Sequence, residues 1–104
     1  MIHVVAMITT LPGEKRAEVL TAFLANVPAV LAEDGCIEYT ATVDAAGFPA
    51  SKGSLGEDTF AVVEKWSSVV ALQAHAASAH MAAYAAKTRP LMANRMIHVL
   101  EPAG

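Results

Sequence analysis

Thr59-Phe60-Ala61-Val62-Val63-Glu64-Lys65-Trp66 is the stretch on which the fold turns. Its β-branched and aromatic residues mark a strand, with Phe60, Val62, Glu64 and Trp66 on one face and Ala61, Val63 and Lys65 on the other. Residues 2–9, Ile-His-Val-Val-Ala-Met-Ile-Thr, form a second β-branched run that Pro12-Gly13 ends. Both strands are apolar on two faces, whereas an antiparallel sheet with one solvated face alternates cleanly. Each face therefore needs a cover.

On the N-terminal side of Thr59, residues 45–57 hold Gly47, Pro49, Gly53 and Gly56 with few large apolar groups, which predicts a long loop. Before it, Cys36 to Asp44 reads as a strand: Ile37, Tyr39, Ala41 and Val43 point one way, Cys36, Glu38, Thr40 and Thr42 the other. Gly35 sits where a left-handed helix cap belongs. From Glu14 to about Glu33, Val19, Leu20, Phe23, Leu24, Val27, Val30 and Leu31 recur at helical spacing and predict an amphipathic helix. Pro28 removes the bond to the Leu24 carbonyl, which predicts a kink or break there.

On the C-terminal side, Ser67 or Ser68 can cap an Ala-rich helical segment from Val69 to Thr88. Ser78 offers a second cap, so two short helices meeting near Ala77–Ser78 are expected. Arg89-Pro90 ends them, and Asn94 to Leu100 is the last strand. The order β-α-β-β-α-β is the ferredoxin-like α+β pattern. Its helices cover one face of a four-stranded sheet, and the other face meets another sheet, most simply that of a second copy in a two-fold dimer.

Composition narrows the function. The 104 residues suit one domain spanning 1–104. They are 55% hydrophobic and 16% charged, against roughly a quarter charged in ordinary soluble proteins, which again points to a homodimer. A net charge of −3 without a Lys/Arg cluster argues against a nucleic-acid or anionic-membrane partner. No apolar stretch approaches the roughly 18–20 residues that cross a bilayer, and residues 1–12 lack the basic start of a signal peptide. The single Cys36 excludes an internal disulfide and a Cys-rich metal site. A cytoplasmic location is expected.

The chain resembles the antibiotic biosynthesis monooxygenase domain family, and within it the bacterial quinol monooxygenases. The resemblance rests on Gly35-Cys36-Ile37-Glu38-Tyr39, Val43-Asp44 and Glu64-Lys65-Trp66, then on Ala71-Leu72-Gln73-Ala74-His75, Ala79-His80-Met81 and Tyr84. It implies a dimeric α+β barrel with an apolar pocket between sheet and helices. It also implies oxygenation of a quinol or hydroxy-aromatic substrate by O₂ without metal, flavin or haem. That chemistry is physically coherent, because a deprotonated quinol is its own electron source. The protein must then supply a base, donors for the developing oxyanion and a dry cavity. No dinucleotide, phosphate-loop or Cys-x-x-Cys motif competes with it.

The candidate catalytic residues are His75, His80, Trp66 and Tyr39. An imidazole accepts a proton near neutral pH, the Trp66 indole could donate to a substrate oxygen, and the Tyr39 hydroxyl needs a partner if buried. The spacing of five between His75 and His80 is too irregular for a metal pair on one helix, so no metal is expected. Tyr84, Glu64, Phe23, Met81 and Asn94 are the candidate substrate-binding residues. Tyr84 shares a helix face with His80, which makes a relay conceivable. Glu64, set among apolar neighbours, must be paired, with Arg95 as the expected partner, or have a raised pKa. Haem-degrading relatives of the barrel carry a bulky aromatic and an axial His, in that order, on the helical region after the third strand. The corresponding positions here are His75 and Ala85, so that ligand is missing. The alternatives are a cofactor-free isomerase of a small keto-sugar phosphate, which the scattered Lys87, Arg89 and Arg95 disfavour, and a non-catalytic dimer binding a small aromatic ligand.

Overall fold

A computed structural model describes residues 1–49 and 53–104. The chain runs β1 (Ile2–Thr10), α1 (Lys15–Leu31), β2 (Cys36–Thr42), β3 (Thr59–Trp66), α2 (Val69–Ala76), α3 (Ala79–Thr88), a 3₁₀ turn (Arg89–Leu91) and β4 (Met92–Leu100). The strands make one antiparallel sheet in the order β2-β3-β1-β4. This is the ferredoxin-like α+β arrangement that the element order predicts.

Register explains which residues meet. Val99, Val4, Glu64 and Tyr39 lie in one row across the sheet, and Ile2, Trp66 and Cys36 in another. These rows face the helices, where Val4, Ile8, Phe60 and Trp66 pack with Phe23 and Val30 of α1. Two aromatic rings anchor the layer: Phe23 stacks on Tyr39 at 4.9 Å and meets Phe60 edge-on at 6.2 Å.

Several local expectations are revised. The pairing of β2 with β3 shifts between Cys36 and Glu38, so Cys36 faces Trp66 while Ile37 is extruded and exposed. One inserted residue reverses the alternation, which puts Cys36 rather than Ile37 on the Tyr39 face. Pro28 does not end α1: Leu24 and Pro28 both stand on the solvent side, where the freed carbonyl can be hydrated, and buried Val30 holds the last turn. Leu24 and Leu31 are exposed, so the buried stripe is narrower than the spacing suggested. Strand β4 begins two residues early, at Met92. Residues 50–52 of the predicted loop lie outside the described residues. The flanking segment is pinned where the Asp44 carboxylate accepts from the Leu55 and Gly56 amides at 2.8 and 3.0 Å, and these N–H groups lower its pKa.

The sheet face away from the helices carries Val5, Met7, Val63, Met96 and Leu100, with Met96 52% and Leu100 47% exposed. Across β4 the helix-side residues Ile97 and Val99 are also half exposed. The edge strand therefore exposes apolar residues on both sides, Met96 and Leu100 flanking His98 on one and Ile97 and Val99 beyond Arg95 on the other. No helix among the described residues is long and apolar enough to cross a membrane.

Gly35 is not the terminal cap of α1, whose cap is Ala32; it is the corner that leads into β2. Its φ is +81°, and a Cβ there would lie 2.7 Å from the Ala71 Cβ and collide with the Ser67 hydroxyl. Its carbonyl also accepts the Ser67 amide at 2.8 Å. Gly35→Ala is expected to destabilise the fold by about 1–3 kcal/mol, the usual cost of a strained left-handed residue. The test is a lower urea midpoint with an unchanged slope. An unmoved midpoint would contradict this close approach.

Candidate functional site

The site is built where the end of α1 meets the elbow between α2 and α3. Ser68 starts α2 by accepting the Ala71 amide on its hydroxyl at 3.1 Å. The helix stops after two turns, and Ser78 closes it: both its amide and its hydroxyl donate to the His75 carbonyl, at 3.1 and 2.7 Å. On a straight helix, residues five apart point about 140° away from each other. The elbow at Ala77–Ser78 removes that separation and brings His75 and His80 together.

Glu33, two residues beyond the end of α1, stands between them. Its Oε2 lies 2.8 Å from His75 Nδ1 and 3.1 Å from His80 Nε2. A carboxylate oxygen only accepts, so both ring nitrogens carry their hydrogens. In a neutral His75 ring the lone pair is then on Nε2. That atom has no hydrogen-bond partner among the described residues, where no side-chain nitrogen or oxygen is sealed away unpartnered. His75 also lines the neighbouring cavity.

The cavity has a volume of about 980 Å³ and lies between the helix side of the sheet, α2, α3 and the uncovered flank of β4. His75, Tyr39, Glu64, Phe23, Met81, Tyr84 and Asn94 all line it. Tyr39 lies edge-on to His75 at 5.4 Å. Among the described residues its hydroxyl reaches only the Met81 thioether, at 3.9 Å, a weak acceptor, so the phenolic hydrogen remains available. Burial, reinforced by the nearby Glu64, raises the Tyr39 pKa strongly, and burial takes Tyr84 to about 12. Both are hydroxyl donors at neutral pH.

Trp66 and His80 are not on the cavity wall. Trp66 is fully buried, and its indole N–H donates to Glu64 Oε1 at 2.9 Å. That donor is spent within the protein, which corrects its expected role toward a substrate oxygen. The same bond replaces the expected Glu64–Arg95 pair. Burial raises the Glu64 pKa, and the Trp66 hydrogen bond opposes the rise. His80 bonds to Glu33 and lies 3.3 Å from the Ser78 hydroxyl, whereas Tyr84 turns to the cavity and meets Phe23 edge-on, so no His80–Tyr84 relay forms. Sequence reasoning missed Glu33, which looked like an ordinary acidic residue past a helix end. It also missed Gln73, Arg89 and Arg95 as members of the lining.

The family model described as antibiotic biosynthesis monooxygenase matches residues 1–87. The protein named probable quinol monooxygenase YgiN of Escherichia coli K12 is 37% identical over 103 residues, covering 98% of each chain. Among solved structures, Rv0793 from Mycobacterium tuberculosis superposes with a TM-score of 0.79 at 25% identity, covering 99% of this chain and 95% of that one. PA3566 from Pseudomonas aeruginosa gives 0.79 at 24% identity, covering 99% and 94%, a likeness of fold.

The raised Glu64 pKa has a definite sign. Folding favours its protonated form, so the charged carboxylate weakens the fold above its folded pKa, and that cost vanishes below its unfolded pKa. Glu64→Gln keeps an oxygen for the Trp66 indole and removes the charge. The variant is expected to be more stable than the parent at neutral pH, with the gap closing as pH falls into the ordinary carboxylate range. Urea melts at several pH values would show it; a variant less stable at neutral pH would contradict the burial cost.

Proposed function

The chain belongs to the antibiotic biosynthesis monooxygenase family, and from that premise we propose that it oxygenates a quinol or related hydroxy-aromatic with O₂, taking the electrons from the substrate rather than from a cofactor. The observation that carries this reading is the His75 ring, held at Nδ1 by Glu33 with no partner among the described residues at Nε2, on the wall of a large cavity that Tyr39 also lines with an unspent hydroxyl.

In this reading His75 is the base and Glu33 the residue that holds its tautomer. His75 Nε2 takes a phenolic proton, and the substrate anion passes one electron to O₂. The substrate radical and superoxide join through a carbon–oxygen bond. Cleavage of the O–O bond leaves one oxygen on the ring and releases the other as water, so a quinol and O₂ give a hydroxyquinone and water. Tyr39 donates to the oxyanion while it forms. Phe23, Met81 and buried Val4, Ile8 and Val62 supply an apolar wall on the closed side of the cavity. Trp66 acts through Glu64, and His80 through Glu33, rather than on the substrate.

Arg89 and Arg95 at the cavity support a second reading, isomerisation of a keto-sugar phosphate, because cations converge there that look scattered along the chain. It needs the same base but no O₂.

The assembly is proposed to be a homodimer. The apolar face around Val63, Met96 and Leu100 has no helix over it, and a second copy offers a matching sheet. Sedimentation is expected to give a dimer at micromolar concentration, and Met96→Lys is expected to shift it toward monomer. A wild-type particle of 10.8 kDa would overturn this.

In metal-free buffer, O₂ uptake with hydroquinones is expected to exceed autoxidation. His75→Ala should lower it at least about tenfold, given the usual 10²–10⁴ for acid–base groups, and Tyr39→Phe about 10²-fold if it is the main oxyanion donor. Uptake equal to autoxidation would leave a ligand-binding dimer as the better account. Turnover of a ketose phosphate without O₂ would favour the isomerase.

A further inference from the structure

The same elbow that orients His75 also assembles a ligand set. Glu33 Oε2, His75 Nδ1 and His80 Nε2 all lie within 4.8 Å of one another. Two of the three separations, 2.8 and 3.1 Å, are already short. Adjacent ligand atoms around a zinc-class ion sit about 2.8–3.1 Å apart when it is six-coordinate and about 3.3–3.6 Å apart when it is four-coordinate, for bonds of about 2.0–2.2 Å. An ion is admitted when these two separations adjust by a few tenths of an ångström and the two ring nitrogens, which lie within 4.8 Å of each other, come to the same spacing. Two imidazoles and one carboxylate are a donor set suited to Zn²⁺, Co²⁺ or Ni²⁺ and poorly suited to Mg²⁺ or Ca²⁺, which prefer all-oxygen surroundings.

The elements are held independently of any ion. Glu33 follows a helix whose last turn is anchored by buried Val30. His75 is wedged against Trp66, with ring centroids 4.6 Å apart. His80 begins α3, and the Ser78 hydroxyl bonds the His75 carbonyl across the elbow. The His80 side chain is 30% exposed while His75 is 6% and Glu33 15%. An ion can thus enter from the His80 side without passing through the cavity, whose wall includes neither Glu33 nor His80.

We propose that Glu33, His75 and His80 bind one divalent transition-metal ion of the zinc class, and that occupancy switches His75 off as a base. Binding requires the lone pairs of His75 Nδ1 and His80 Nε2, the atoms that carry hydrogens when they bond to Glu33. In each neutral ring the hydrogen moves to the other nitrogen, so no net proton is lost. His75 then carries an Nε2–H donor instead of a lone pair. This second half rests on the oxygenase reading above; the metal site itself does not.

The two halves separate in the full-length protein. Titration of metal-free protein with Co²⁺ is expected to give visible d–d absorption that saturates at one ion per chain and survives excess Mg²⁺. Glu33→Gln and His80→Ala are expected to weaken binding by at least about 10–100-fold, the loss that even outer-shell changes cause. His98→Ala, on the opposite sheet face, is expected to leave it unchanged. Circular dichroism checks that each variant is folded, and His80, being part exposed, is the safer substitution. Absence of saturable absorption, or equal binding by folded His80→Ala, would overturn the site. If metal-free protein oxidises quinol, one equivalent of Zn²⁺ is expected to lower uptake at least tenfold, with recovery on chelation. Saturable Co²⁺ binding with undiminished uptake would overturn the switch alone. If metal-free protein shows no uptake, the oxygenase reading falls, and the Co²⁺ titration still decides the site.

Discussion

One carboxylate oxygen receiving two imidazoles sets the local architecture. Glu33 joins the end of α1 to both sides of the α2–α3 elbow, three segments that share no strand. A partly buried carboxylate needs such donors, because burying a charge without partners is costly. Its position in turn fixes the His75 ring, which completes the cavity wall beside Tyr39. The elbow therefore links packing to chemistry: without Ser78 closing α2, His75 and His80 would diverge around one helix.

Much of the fold was legible because period and punctuation agreed. Thr59–Trp66 has the predicted bounds and faces, and Val69–Thr88 forms the two predicted helices with a bend at Ala77–Ser78; Ser68 caps the first through its side chain, whereas the Ser78 hydroxyl donates back to the His75 carbonyl instead of capping the second. The misses have local physical causes. The bulge at Ile37 depends on pairing with β3, which no property of β2 alone reveals. Pro28 is tolerated because its side of α1 faces water and Val30 is packed. Leu24 and Leu31 fit the helical period but lie beyond the width of the sheet contact.

The site was legible in its residue types more than in its connections. His75, Tyr39, Tyr84, Glu64, Phe23, Met81 and Asn94 all reach the cavity. Which hydrogen bonds each one makes was hidden, because those depend on distances between separate segments. Trp66 and Glu64 are two apart on one strand face, and that spacing did foreshadow their bond; the error lay in assigning the indole to a substrate. Glu33 carried no signal at all in one dimension. Its role exists only after a 42-residue separation closes to 2.8 Å.

The cavity's open flank ties the proposed assembly to the proposed chemistry. Radical intermediates need water kept out, yet Ile97 and Val99 leave the cavity wall half exposed along β4. The opposite side of the same strand exposes Met96 and Leu100. An unpaired edge strand that exposes large apolar residues on both sides is a liability unless something covers them. A partner that lay only on the helix-free face would protect Met96 and Leu100 and leave the cavity open. A partner that also reached around the β4 edge would cover Ile97 and Val99, and with them the route by which water enters. The burial of apolar surface and the dryness of the reaction chamber thus make the same demand on one strand.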